Sequence, residues 1–201
     1  MNIIRGKAVW KNALDKRTKA QIKMIVIHHT AAVKCSFEDV QQWHYDRGWS
    51  GIGYHYFIRK DGTIYEGRPE LTVGAHALNH NTESIGISCE GNYDTEKTMS
   101  DTQMKALVEL VKDILSRYGE LDIKKHKDVC STDCPGDNFP WNQMLLAIHK
   151  PVKSELECAI DKLVEKGIIQ SPEYWLENAI SGKTINGEYA GILIKRVSKL
   201  T

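Results

Sequence analysis

Long apolar stretches are missing from this chain. No hydrophobic run exceeds about five residues, against the roughly 20 that a helix needs to cross a bilayer, so membrane insertion is not expected. Residues 1–23 are basic and broken up by polar side chains, without the apolar core of a secretory leader, and the expectation is synthesis in the cytoplasm with no signal peptide. Cysteine is scarce and odd in number: five in 201 residues. At least one must be unpaired or a ligand, and a chain of this size does not depend on a disulfide framework. Cys35, Cys89 and Cys158 read most simply as core or surface thiols. Excess charge is lacking too. The net charge is +1, so a nucleic-acid partner is not expected. The balance is uneven, however. Residues 1–23 hold seven Lys/Arg against Asp15 alone, a net +6 that leaves −5 for the remainder. Such a segment reads either as a solvated basic arm or as a patch suited to an anionic surface. Internal repeats and low-complexity stretches are absent.

What is present suffices for one good core and a small appended unit, with 41% apolar and 26% charged residues. Residues 24–27 are apolar on both faces, as in a central strand covered from two sides. Ser36, with Asp39 three residues on, begins a helix expected to end near Arg47-Gly48, in which Trp43 and His44 read as packing residues. Residues 54–58 and 63–66 flank Lys60-Asp61-Gly62, a hairpin signal because Gly accepts positive φ. A strand over residues 84–89 follows the polar loop 74–81. Ser100 and Gln103 predict a capping box for a helix that carries Met104, Leu107, Val108, Val111, Ile114 and Leu115 at helical spacing and stops at Gly119. A short strand at 123–125 leads into His126, and residues 138–148 predict a closing helix. Strands and helices interleave, which predicts an α/β fold with a mixed central sheet flanked by helices. Lys150-Pro151 marks a boundary between a domain of residues 1–149 and a small helical module of residues 150–201. That module is expected to hold helices at 154–166, at 172–180 with Ser171 as cap and Pro172 at the first position, and at 188–199.

The chemistry concentrates in His28-His29, which closes the apolar strand, and in the distant run His126-Lys127-Asp128-Val129-Cys130-Ser131-Thr132-Asp133-Cys134-Pro135-Gly136. Two imidazoles and a thiolate suit zinc, and three protein ligands leave a tetrahedral position open, the layout of a catalytic site. Alternation along a strand sends His28 and His29 to opposite faces, so one metal uses only one of them. Cys130 and Cys134 are rival thiolates.

Residues 27–31 (Ile-His-His-Thr-Ala), Gly53-Tyr54-His55-Tyr56, Asp61-Gly62-Thr63, Gly74-Ala75-His76-Ala77, Ser84-Ile85-Gly86-Ile87, and His126-Lys127-Asp128-Val129 with Cys134-Pro135-Gly136 together resemble the zinc-dependent N-acetylmuramoyl-L-alanine amidases. That family includes the amidase-type phage lysozymes and the peptidoglycan recognition proteins. The likeness spans roughly residues 20–147 in chain order and leaves out the tail. Carried over position by position, it implies His28, His126 and Cys134 as zinc ligands, with His29 beside the site. It implies Tyr54 as the catalytic tyrosine and His76 as a substrate-binding groove residue, with Asn81 or His80 lining the same groove. At Thr132, two before the ligand Cys, phage enzymes often carry Lys and recognition proteins Thr; a neutral hydroxyl offers a hydrogen bond to the reacting centre but no positive charge, or simply caps the loop. Glu90 follows the strand at 84–89 and reads as solvated or salt-bridged.

The resemblance therefore implies a peptidoglycan hydrolase that uses zinc-activated water to cut the amide between N-acetylmuramic acid and L-alanine. It would be a monomeric endolysin of phage or prophage origin, made in the host cytoplasm and acting on the cell wall, with the tail a wall-binding module. A bacterial autolysin, a non-catalytic peptidoglycan-binding protein, and a zinc-stabilised interaction module with Cys130 as fourth ligand are the other readings.

Overall fold

Ile25, Val26 and Ile27 are all fully buried, and this doubly covered run is the axis of the fold. The computed structural model describes residues 2–150 and 155–198. In it, β2 (Met24–His29) lies between two parallel neighbours, β5 (Ser84–Cys89) and β6 (Asp122–Lys125). Beyond β5 the sheet continues through β3 (Tyr56–Ile58) and β4 (Ile64–Glu66) to β1 (Ile3–Ile4), giving the order β1-β4-β3-β5-β2-β6. Only the β3–β4 pair is antiparallel. Its five-residue connection turns at Gly62, φ +83°, where Asp61 accepts the Thr63 N–H, as turn chemistry demands.

Register decides which side chains face which layer. Ile27, Ile87 and Tyr56 stand side by side on one face, packed with Leu107, Leu110 and Ile114 of α2 (Asp101–Tyr118) and Met144 of α3 (Trp141–His149). One residue along, His28, Ser88 and Phe57 share the opposite face. There Phe57 packs with Phe37 and Val40 of α1 (Phe37–Asp46) and with Ile52. The mixed sheet flanked by helices is thus the predicted α/β class.

Local differences from the sequence reading have physical causes. The strand expected at 54–58 starts only at Tyr56, because His55 N–H reaches Gly86 O and Tyr54 O accepts from Arg68. Ser100 caps α2 by accepting the Gln103 N–H, but the reciprocal half of the capping box is not made. The Gln103 amide is buried instead, donating to Ile58 O and Glu90 O and accepting from Tyr93 Oη. α3 begins at Trp141, after residues 138 and 139 have been used in turns.

The N-terminal segment is docked, although six of its seven Lys/Arg side chains are exposed. Ile3 and Ile4 pair with β4, Lys7 meets Glu38, Lys16 bridges Thr72, and Arg17 is 5% exposed. Its guanidinium donates to the carbonyls of Glu70, Asn81, Thr82 and Ser84, and burial lowers its pKa to about 10.

The chain divides into two compact units, Met1–His149 and Lys150–Thr201. The second has its own small core of Ile160, Ile169 and Trp175, built by α4 (Glu155–Glu165), α5 (Pro172–Asn178) and α6 (Gly187–Val197). Pro172 opens α5 as expected, but Ser171 makes no side-chain cap; Asn186, accepting from Glu188 N–H, caps α6. The expected starts and ends at Ser154 and Lys199 lie outside the described residues. Among the described residues, no helix is long and apolar enough to cross a membrane.

Candidate metal centre

The carboxyl ends of parallel strands are where α/β sheets place their ligands, and β2 ends in His28-His29. Both are buried, at 1% and 6% exposure, yet they look in different directions. His28 faces the α1 side of the sheet. His29 faces the other way, its Nδ1 accepting the Tyr93 N–H at 3.1 Å and its ring stacked on Tyr93. His126 opens a single 3-10 turn directly after β6, which brings its ring centroid to 4.3 Å from that of His28.

The third corner comes from the loop after that turn. Lys127 N–H donates to Cys134 O, and Gly136 N–H to Asp133 O. Gly136 has φ +92°, and a Cβ there would stand 2.7 Å from Tyr93 O, so only glycine lets the loop close. The Cys134 thiol is thereby held 3.4 Å from the His29 N–H, which donates to it, and 3.8 Å from His28 Nδ1.

One donor atom from each of His28, His126 and Cys134 lies within 4.8 Å of the others. In a tetrahedral zinc site the usual bond lengths put N and S roughly 3.6 Å apart, close to the observed His28–Cys134 distance, so these donors fit such an ion. Burial, then the neighbouring His76 and His126, holds the His28 pKa well below its ordinary value, and burial, then His29, lowers that of His126. Neutral imidazoles keep the lone pair that a metal takes. Burial pushes the Cys134 thiol up to about 12, the His29 N–H working against it, so metal binding has to displace its proton. Cys130 lies outside this group, its sulfur directed at Leu78 O.

Tyr54 leans over the same corner, its ring 5.0 Å from that of His28 and 5.2 Å from that of His44. Burial, followed by the nearby Cys134, raises its pKa, so its hydroxyl stays a proton donor. His44 does more than pack: its Nδ1 accepts Gly53 N–H, fixing the backbone beside Tyr54. Trp43, read as a packing residue of the helix, is 38% exposed. Thr132 Oγ1 accepts the Cys134 N–H at 3.3 Å and also lines an open cleft of about 510 Å³ with Trp49, His76, Leu78, Asn81 and His126. Trp49 and the exposed Leu78 were not singled out from the sequence; their position beside the tyrosine and histidine motifs was the only signal.

His76 is 7% exposed and hydrogen-bonded to His28, so it borders the cleft while being anchored behind it. Asn81 holds that loop, its side-chain oxygen accepting the His76 and Ala77 N–H groups. His80 pairs with Glu83. Glu90 is 2% exposed, accepting from Cys35 N–H, Lys60 N–H and Arg59, so it is a salt-bridged anchor of the framework.

A family model described as N-acetylmuramoyl-L-alanine amidase matches residues 18–137. The chain belongs to that amidase family. Among curated relatives, peptidoglycan-recognition protein SC2 of Drosophila melanogaster is 40% identical, over 70% of this chain and 84% of its own length. The endolysin of Klebsiella phage KP32 is 32% identical, over 66% of this chain and 95% of its own. Among solved structures, the N-acetylmuramoyl-L-alanine amidase LysC from Clostridium intestinale URNW superposes with a TM-score of 0.67 at 41% identity, over 72% of this chain and 95% of that one. The amidase family match ends ahead of Lys150, so the C-terminal unit lies outside it.

Proposed function

We propose that the chain is a zinc-dependent N-acetylmuramoyl-L-alanine amidase that cuts stem peptides from the glycan of bacterial walls, acting as an endolysin of phage or prophage origin. The observation that carries this reading is the meeting of His28, His126 and Cys134 with Tyr54 beside them, next to an open cleft that His126 and Thr132 line. His28, His126 and Cys134 would hold the ion. Zinc, when bound, supplies a Lewis acid that polarises the scissile carbonyl and acidifies water.

The chain's own side chains do the rest. The cleft aligns the lactyl–L-alanine amide against the metal corner, and Tyr54 donates a hydrogen bond to the carbonyl oxygen as charge gathers there. As the C–N bond breaks, the amine of L-alanine takes up the proton that the attacking water loses, and the Tyr54 hydroxyl is positioned to relay it, giving its own proton to the amine as it receives the water's. Thr132, engaged by the Cys134 N–H, offers a weaker hydrogen bond and no charge. For the C-terminal unit we propose wall anchoring; it has its own core and a cavity of about 300 Å³ whose lining mixes Trp175 and Tyr189 with Arg196 and Glu188.

The test is to incubate purified protein with bacterial walls, with and without chelator, and to count newly exposed L-alanine amino termini. Chelator-sensitive release is expected. No release from fully zinc-loaded protein that still pellets with walls would leave a recognition protein in its place.

A further inference from the structure

His28 has two ring nitrogens, and only one can face a metal beside Cys134. Which one does so depends on where the ring proton sits, and in a neutral imidazole the hydrogen bond at the other nitrogen sets that. Nδ1 lies 3.8 Å from the Cys134 sulfur. Nε2 lies 3.0 Å from Nδ1 of His76. One of these two nitrogens must donate and the other accept.

The direction is set further along the same line. His76 Nε2 lies 3.4 Å from Ser84 Oγ, and Ser84 Oγ lies 2.6 Å from the His80 carbonyl oxygen. A carbonyl only accepts, and a hydroxyl has one proton. The Ser84 proton therefore goes to His80 O, which leaves Ser84 Oγ to accept from His76 Nε2–H. His76 Nδ1 is then the acceptor, and His28 Nε2–H donates to it. Ser84, His76 and His28 are 0%, 7% and 1% exposed, so bulk water is kept from substituting at these links.

The fold makes a slot for this ring. A Cβ on Gly74 would stand 2.5 Å from the His76 ring, and one on Gly86 would also stand 2.5 Å from it. Two glycines are thus spent on seating an imidazole that sits behind the cleft.

We infer that Ser84 and His76 are positioning residues, a relay ending on the His80 carbonyl that locks His28 with its Nδ1 lone pair turned toward Cys134. The inference deepens the proposed function, because it treats His28 as a metal ligand. His76 then acts through His28, and its place at the cleft edge is secondary.

Long-range 1H–15N NMR of the zinc-free protein reads the tautomer directly. The wild type is expected to show His28 protonated at Nε2; a His28 protonated at Nδ1 overturns the relay, with no variant needed. Ser84→Ala should give mixed tautomers at His28 and His76. It should also weaken zinc binding in a chelator competition, by up to about 10-fold, the low end of the range for losing a group bonded directly to a ligand. A folded Ser84→Ala protein with both readouts unchanged removes Ser84 from the relay. If the wild type holds the expected tautomer but binds no zinc, the relay stands and the metal reading falls.

Discussion

Tyr54 and Thr132 stand near the same metal corner but are expected to matter unequally. Tyr54 carries a hydroxyl whose proton is held by burial, so Tyr54→Phe should lower kcat by about 10²–10³ at unchanged zinc content, the range for losing a donor to a developing oxyanion. Metal analysis beside wall-digestion kinetics checks this, and full activity would remove Tyr54 from the chemistry. Thr132→Ala deletes a 3.3 Å loop contact and no charge, so a loss under about tenfold is expected. At this scale the sequence was informative where residue type is tied to chemistry. A His pair on a strand and two cysteines in a loop pointed to a metal, but strand alternation could not say which His faced the second loop. Beyond what the resemblance implied, long-range geometry could not be read. That Gln103 would abandon its cap for Ile58 O and Glu90 O, or that Ser84 would stand behind His76, depends on partners 13–45 and 8 residues away.

Among the elements, α2 carries the most instructive polar contacts. Gln103 is fully buried and makes three hydrogen bonds, so Gln103→Leu should destabilise by about 1–3 kcal/mol, leaving Ile58 O with the Glu90 N–H and Glu90 O with a long contact to Tyr93 Oη as partners. Urea unfolding checks it. At the far end of the helix, Arg117 and Tyr118 converge with Tyr56 on Glu70. Burial raises the Glu70 pKa, but the hydrogen bonds from Arg117, Tyr118 and Tyr56 outweigh it and leave the group below its ordinary value. Its folded pKa is depressed, so its contribution is present above the unfolded carboxylate value of about 4.3 and is lost as pH falls through the folded value. Glu70→Gln should therefore cost about 2 kcal/mol at pH 7, with the gap to wild type narrowing in urea melts below about pH 4. Element types were legible because apolar periodicity reports the covered faces. Element ends were less so: Tyr54 and His55 leave β3 for other partners, and Ser171 does not cap.

For the molecule as a whole, acid should act through buried histidines. Burial lowers His44 to about 4 and His55 to about 3. Between about pH 6.5 and those values the unfolded chain binds protons that the folded chain refuses, so stability falls with pH, by up to about 1.4 kcal/mol per histidine per pH unit. Urea midpoints that stay constant from pH 7 to 4.5 would contradict this. Ending the chain at His149 should leave soluble muropeptide cleavage intact while reducing pelleting with whole walls; equal pelleting would argue against wall anchoring by the C-terminal unit. The two-unit plan was suggested by Lys150-Pro151 and the short helical segments after it, whereas the docking of residues 2–17 was hidden because a basic segment looks solvated until its partners are known. Arg17 makes that docking consequential. It stands one position ahead of the family match at residue 18, yet its guanidinium ties together the carbonyls of the loop that carries His76. An amidase trimmed to the boundary that homology draws would keep every candidate ligand and lose the rivet behind them. A unit that keeps this rivet begins upstream of the family-model match.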